Sequence, residues 1–226
     1  VLKKRQGDYE DAFDTISAVL KANPKQLDAQ MQAALILKEW AEVSNDPKKY
    51  LQSVLGNKGT ELKDSPVYGF SQLGMLMQNV MSNPNSNIPD IQNRYYDVLY
   101  EMGDSLFEYG KSLNGAERDD ILLRSKSTLY QFALNSTPDV DNETWTKFDN
   151  LYGDVQEQLG EARTPLERPA GSVASTDTSN GTETTDKPDQ NIADDNLGTP
   201  IDPDDEPDDD GPNYLFFGLL LIVGIG

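Results

Sequence analysis

The chemistry open to this chain is limited first by two residue types that it lacks. It contains no Cys and no His. The sequence therefore offers no thiol nucleophile, no disulfide, no His-ligated metal site and no His general base. Asp and Glu number 39 against 19 Lys and Arg, which gives a net charge of −20. Nucleic-acid phosphates require Lys and Arg, so we expect no nucleic-acid partner.

The Asp-rich run 202–210 has the side chains that bind calcium. An EF-hand loop alternates oxygen ligands, places Gly at its sixth position and ends on Glu at its twelfth. Counting from Glu206, the alternation and Gly211 fit, but the twelfth residue is Phe217. Prolines also interrupt the run. We interpret it as a solvated acidic spacer and predict no metal site.

The other acidic side chains form no catalytic pattern. Asp119 and Asp120 lie at a predicted helix start, with no Gly-rich loop or nucleophile elbow nearby. No P-loop and no dinucleotide fingerprint is present. Asp139, Asp141 and Glu143 alternate, but a helix N-terminus that favours negative charge explains them. We predict that the chain is not an enzyme and carries no catalytic residue and no cofactor.

Helical periodicity dominates the chain up to about residue 160. Apolar residues recur every three or four positions, and Asn-Pro, Asp-Pro, Ser-Pro and Asn-Gly pairs separate the segments. No segment has the alternation typical of a strand. After the end of a truncated helix at 2–6, the predicted helices are 8–21, 27–43, 47–55, 65–82, 89–113, 116–135 and 142–159.

The composition changes after residue 163. Residues 164–213 contain no aromatic residue and no Met, and Arg168 and Lys187 are their only basic side chains. Such a segment buries too little apolar surface to offset chain entropy, so we predict a disordered acidic linker. Residues 214–226 carry no charge. A span needs about 20 residues, so this run is either the truncated start of a transmembrane helix or a short buried helix.

Residues 7–24 carry a fixed spacing of small, aromatic and apolar residues. A small residue opens the segment, an aromatic follows two later and Ala three after that, and Pro closes it. This order resembles the second half of a tetratricopeptide repeat. The resemblance implies that Tyr9 and Ala12 are buried between helices, with Ala12 at the closest approach. The matching residues are Gly7, Tyr9, Ala12, Ile16, Val19, Leu20 and Pro24.

Later segments resemble the first helix of the same hairpin, which carries a bulky residue, a small residue and then an aromatic or apolar residue. In one of them, Gly110 is expected where the second helix begins. The small-residue positions are unevenly spaced, so we predict degenerate hairpins that stack into a solenoid. The matching residues are Phe70, Leu73, Gly74 and Met77; Leu99, Met102, Gly103 and Leu106; Trp145, Phe148, Asp149 and Tyr152; and, loosely, Gln30, Ala33, Ala34 and Leu37.

The resemblance also implies a partner-binding surface on the concave side of the first helices. This surface mixes apolar and acidic side chains. It lacks the Lys, Arg and Asn cluster with which family members clamp a C-terminal carboxylate, so a basic or apolar peptide is the expected partner. Core packing is the competing interpretation of its aromatic and Met residues. The mapped positions are Asp28, Met31, Leu35, Lys38, Asp97, Tyr100, Asp104 and Phe107.

We therefore predict an all-α protein with a tetratricopeptide-like solenoid at 1–163, a disordered acidic linker at 164–213 and a truncated single-pass C-terminal membrane anchor at 214–226. The arrangement resembles the C-terminal part of long bacterial tetratricopeptide proteins. That resemblance implies a membrane-anchored scaffold for protein–protein interaction or complex assembly. The alternative is a structural spacer whose function lies in a missing N-terminal part. The sequence leaves the side of the membrane open.

Overall fold

The structure, a computed structural model, describes residues 6–83 and 90–168. Seven α-helices and no strand occur in these two ranges, so the predicted all-α class is confirmed there. The predicted acidic linker beyond residue 168 and the predicted anchor lie outside the described residues. The helices are α1 (Gln6–Ala22), α2 (Leu27–Ser44), α3 (Lys48–Leu55), α4 (Gly69–Met81), α5 (Ile91–Lys111), α6 (Gly115–Asn135) and α7 (Asn142–Gln158).

Packing between the helices follows their order in the chain. Each helix packs against the next one. Three pairs that are two helices apart also pack together, namely α2 with α4, α3 with α5 and α5 with α7. In addition, α2 and α5 meet over a smaller contact. This last contact brings together the two helices that carry the predicted partner-binding residues.

Aromatic rings fix the packing of α5, α6 and α7. Phe132 of α6 stacks on Phe148 of α7, with ring centroids 3.7 Å apart and an interplanar angle of 10°. Tyr96 of α5 meets Phe132 edge to face at 5.1 Å. All three side chains are buried. These ring contacts add to the apolar area that the three side chains bury, so the rings join the three helices in one core.

The helix α4 begins at Gly69 rather than at the predicted Ser65. The backbone N–H of Tyr68 donates to Oε1 of buried Gln30 in α2 at 2.8 Å, which is a side-chain acceptor and not the main-chain carbonyl of a helical turn. Gly69 then has φ +71°, and a Cβ there would lie 2.4 Å from the backbone N of Gly56. The predicted start is wrong because tertiary contacts hold the preceding residues in a loop.

The small residues of the repeat-like pattern lie at close helix contacts. A Cβ on Gly103 would meet Leu129 Cδ2 at 2.7 Å, and one on Gly74 would meet Val98 at 3.5 Å. Gly110 was expected to begin a second helix, but it lies in the last turn of α5. A Cβ there would lie 2.8 Å from Leu122. The position therefore serves the α5–α6 packing and not a helix start.

In α1, the expected burial is present for Tyr9, which is 5% exposed. Ala12, predicted at the closest approach, is only half-buried. Phe13 and Leu20 are more buried than Ala12 and pack with residues of α2 in a small core cluster. The expectation for Ala12 was wrong because α1 packs substantially against α2 alone among the helices described.

Candidate partner-binding face

The predicted partner-binding residues lie on α2 and α5, and the structure brings several of them into contact. We call this surface the α2–α5 face. Lys38 lies at its centre and is buried. Its ammonium bonds both Glu101 and Asp104 of α5, and Nζ lies 2.5 Å from Asp104 Oδ2. The ion pairs explain why a lysine is tolerated at a buried position between two helices.

Burial alone would lower the pKa of Lys38. The carboxylates of Asp104 and Glu101 outweigh that effect and raise its pKa above the usual value. Lys38 is therefore a permanent cation that holds α2 to α5. Its charge is already compensated within the chain, so it is not available to clamp an acidic group of a partner.

A shallow depression of about 250 Å³ lies at one end of the α2–α5 face. Predicted residues Asp28, Met31 and Asp97 line it, together with Met77 and Arg94. Arg94 forms an ion pair with Asp28 across the two helices. Partial desolvation raises the pKa of the Asp97 carboxyl, which remains exposed to solvent, and the nearby Lys147 acts in the opposite direction. The depression is therefore lined both by the thioether groups of Met31 and Met77 and by carboxylates.

The predicted aromatic positions of the face are covered. Tyr100 packs edge to face on Phe148 at 5.4 Å, and Lys147 Nζ lies 3.6 Å above its ring. Phe107 is buried, and Lys111 Nζ lies 4.8 Å from its ring centroid. Ammonium groups over aromatic faces are favourable contacts. These two rings therefore contribute to packing, as the competing interpretation expected.

Leu35 completes the predicted set and is half-buried against the main core. Carboxylates outnumber cations around the face. Near Lys38, burial raises the pKa of Glu42, and Asp104 and Glu101 add to that effect while Lys38 opposes it. Burial, with Glu108 and Glu42 nearby, raises the pKa of Tyr50 to about 12. The electrostatic character of the face is therefore acidic.

A larger depression of about 440 Å³ lies between the start of α5 and the loop before α7. Its carboxylates accept hydrogen bonds from nearby backbone and side-chain groups. Asp141 caps α7 by accepting hydrogen bonds from Thr144 N and Oγ1, both at 2.8 Å. Bonds to the Thr144 backbone and hydroxyl lower the pKa of Asp141, and a bond from the Thr137 hydroxyl lowers that of Asp139. The alternation of acids here reflects a helix N-terminus, as predicted.

Within residues 6–83 and 90–168, no group of acidic side chains has the arrangement of a metal site. The Asp-rich run 202–210 lies outside the described residues. Among the described residues, none of the helices combines the length and the apolar composition that a membrane span requires.

The sequence did not identify a well-ordered segment after α7. Residues 161–168 are not helical, yet Leu166 is 5% exposed and belongs to the main core cluster. The packed part of the chain thus continues past residue 163, where the linker was predicted to begin. One apolar residue among Arg, Thr, Pro and Glu gives no periodic signal that could have indicated this burial.

Comparison with known proteins gives this chain no relatives: no protein-family model, no curated protein and no solved structure matches it.

Proposed function

We propose that the protein is a helical scaffold of degenerate tetratricopeptide-like hairpins, tethered to a membrane by residues 214–226, and that its α2–α5 face binds a basic or apolar segment of a partner protein. The packing order supports the solenoid. Helices that contact mainly their first and second neighbours in the chain are typical of stacked hairpins. The close contact at Gly103 supports the pairing of α5 and α6 as a hairpin.

The excess of carboxylates over cations on the α2–α5 face is the observation that supports a basic or apolar partner. Lys38 and Arg94 are engaged by carboxylates of the same face, so neither is available to attract an acidic partner. Asp97 faces a depression with a Met floor. A partner side chain with an aliphatic stem and a cationic head fits this combination, because the stem packs on thioethers while the head meets carboxylates.

Site-specific photo-crosslinking tests this proposal. The crosslinking residue is placed at Asp97 or Gln32 of the face, or at the control positions Leu123 and Tyr130, which are exposed on α6. In membranes of the source cells, we expect a discrete crosslinked product from the face positions alone. Asp28→Lys in the same chain should weaken it, because it reverses a charge of the face. Equal products from face and control positions would contradict the proposal.

A structural spacer is the second candidate, and one observation favours it. The aromatic rings predicted on the face are covered by Lys147 and Lys111, which leaves no contiguous exposed aromatic patch there. A spacer would give no face-specific crosslink. The crosslinking result thus separates the two functions.

The membrane tether is tested separately. Full-length protein should stay with membranes through washes in high salt and in carbonate, and only detergent should release it. Salt screens charge but does not weaken burial of apolar surface, so an inserted helix resists it. A chain that ends at Asn213 should be released without detergent. Release of the full-length protein by salt would contradict the anchor.

A further inference from the structure

Residues 161–168, which we call the terminal segment, lie along α7 and run in the opposite direction. As the segment proceeds, its contacts move back along the helix. Thr164 bonds Gln156, Leu166 bonds Asp149, and Arg168 covers Trp145. The segment therefore occupies a continuous groove on the α7 surface and does not simply leave the domain.

A buried amide recognises the backbone of the segment. Gln156 is 2% exposed. Its Oε1 accepts the backbone N–H of Thr164 at 2.9 Å, and its Nε2 donates to the Thr164 hydroxyl at 2.6 Å. Both polar atoms of this buried side chain are thus satisfied by the segment.

Charged side chains and a glycine of α7 surround Arg163, the residue that precedes Thr164. The guanidinium of Arg163 lies 3.2 Å from Asp154 and 3.3 Å from Glu157, and it donates to the Asn150 carbonyl at 3.1 Å. A Cβ on Gly153 would lie 2.2 Å from Arg163 Nε. The arginine thus crosses α7 at a position without a Cβ, and a larger residue there would displace its guanidinium.

Two contacts complete the recognition at the other end. Leu166 is buried in the main core, and its N–H donates to Asp149 Oδ1 at 2.7 Å. The guanidinium carbon of Arg168 lies 4.9 Å from the Trp145 ring centroid. The groove therefore recognises a basic residue, a backbone amide, an apolar residue and a second basic residue in order.

We propose that this groove is a peptide-binding site and that its partner in trans is the terminal segment of a second copy of the chain. The segment carries two arginines and two glutamates, and its Arg163 meets the carboxylates of Asp154 and Glu157, so the basic part of the segment complements the acidic part of the groove. It leaves α7 through Gly160, which has φ +75° and no neighbouring atom within 4 Å of a Cβ position. Rotation at this glycine exchanges the segment between copies and reproduces every contact.

The exchange is hidden in the wild-type chain by intramolecular competition. A short connection gives a tethered segment an effective concentration in the millimolar range, so the segment of the same chain occupies the groove in dilute solution. Two complementary full-length variants remove this competition. The segment variant carries Arg163→Ser and Leu166→Ser, and the groove variant carries Gly153→Leu and Glu157→Arg.

Each variant alone, released in detergent, should be monomeric by sedimentation equilibrium, because each lacks one half of the contact. Their equimolar mixture should form a one-to-one complex through the intact segment of the groove variant and the intact groove of the segment variant. Replacing the groove variant by the matched control Thr146→Arg, an exposed change on α7 outside the contacts, should lower the association at least tenfold. In that control the segment occupies its own groove.

A labelled synthetic peptide of residues 161–168 provides a second measurement. Its fluorescence anisotropy should rise with the segment variant and not with the groove variant. Thermal melts by circular dichroism establish that both variants fold. If the mixture stays monomeric, the second copy is not the partner, even when the peptide binds. If neither the peptide nor the mixture binds, the groove is a structural cap only, and the proposal is overturned.

A second experiment applies if the segment variant melts without cooperativity. It compares the self-association of wild-type protein with that of Gly153→Leu alone, at concentrations up to about 1 mM. Equal association of those two chains also overturns the proposal.

Discussion

Lys38 shows how much a single residue contributes to the contact between two helices that are far apart in the chain. It joins α2 to two carboxylates of α5 at a site where its own side chain is 10% exposed. Buried charges of this kind stabilise a fold only when their partners are present. The same residue was predicted on a partner-binding surface, because spacing alone cannot reveal that α5 lies opposite.

Replacing Lys38 by Met should destabilise the protein by about 3 kcal/mol, because it leaves Glu101 and Asp104 next to each other without a cation. Urea unfolding followed by circular dichroism measures the free energy of unfolding. The control is Lys25→Met, an exposed lysine in the loop before α2, which should change it by about 0.5 kcal/mol or less. Equal effects at the two positions would show that the buried ion pairs contribute nothing.

Gly103 and Gly74, both within helices, provide a matched pair of substitutions that tests helix packing. In Gly103→Ala the new methyl group would overlap Leu129, which should destabilise the protein by roughly 1–3 kcal/mol. In Gly74→Ala the nearest atom lies at an ordinary distance of 3.5 Å, so the higher helix propensity of Ala should stabilise by up to about 1 kcal/mol. Thermal melts of both variants test this. A destabilised Gly74→Ala would refute the packing at that site.

At the residue scale, the sequence predicted the chemical types of the α2–α5 face but not their exposure. Asp28 and Asp97 are exposed as a binding surface requires. Phe107 and Lys38 are buried because neighbouring helices cover them. The covering cations, Lys147 and Lys111, come from other positions of the fold. Their placement over the rings depends on tertiary structure and leaves no signal in local spacing.

At the scale of elements, local patterns located the helices well and located the loops poorly. The boundaries of α2, α5, α6 and α7 agree closely with the predicted ranges, because caps, Pro and Asn-Gly pairs act locally. The start of α4 and the ordered terminal segment were missed. In both cases a buried glutamine side chain fixes a non-helical backbone: Gln30 accepts from Tyr68, 38 residues away, and Gln156 accepts from Thr164, 8 residues away.

From the packing of the terminal segment on α7 we infer where proteolysis from the C-terminal side should stop. Limited digestion should leave a fragment that includes Arg168, because Leu166 and the Gln156 bonds protect the preceding backbone. Mass spectrometry of the digest locates the end. A chain that ends at Gly160 should be less stable than one that ends at Arg168 by about 2 kcal/mol, mainly from the lost burial of Leu166. Equal melting temperatures would contradict this.

At the scale of the whole molecule, the titratable groups predict alkaline unfolding. Burial raises the pKa of Tyr9, Tyr95, Tyr100 and Tyr109, and that of Tyr50 rises to about 12. A tyrosine whose pKa is higher in the folded state than in the unfolded state stabilises the fold at a pH below its unfolded-state pKa, which is about 10. This stability is lost as the pH rises through the folded-state pKa. The raised pKa of Lys38 acts in the same direction.

The melting temperature should therefore fall steeply between about pH 10 and pH 12. The lowered pKa of Lys49, caused by its burial, opposes the trend without reversing it. Tyr50→Phe should flatten the decrease, whereas Tyr130→Phe, an exposed tyrosine on α6, should leave it unchanged. A melting temperature that stays constant up to pH 12 would show that the buried phenols do not control alkaline stability.

The neighbour-to-neighbour order of helix packing also has a consequence for folding kinetics. Contacts between adjacent helices close only short loops, so the chain has a low contact order, and proteins of that kind fold within microseconds to milliseconds. The Lys38–Glu101 pair is an exception, since 63 residues separate its partners. A contact that closes so long a loop is expected to form after the transition state. Its loss should therefore accelerate unfolding and leave the refolding rate nearly unchanged.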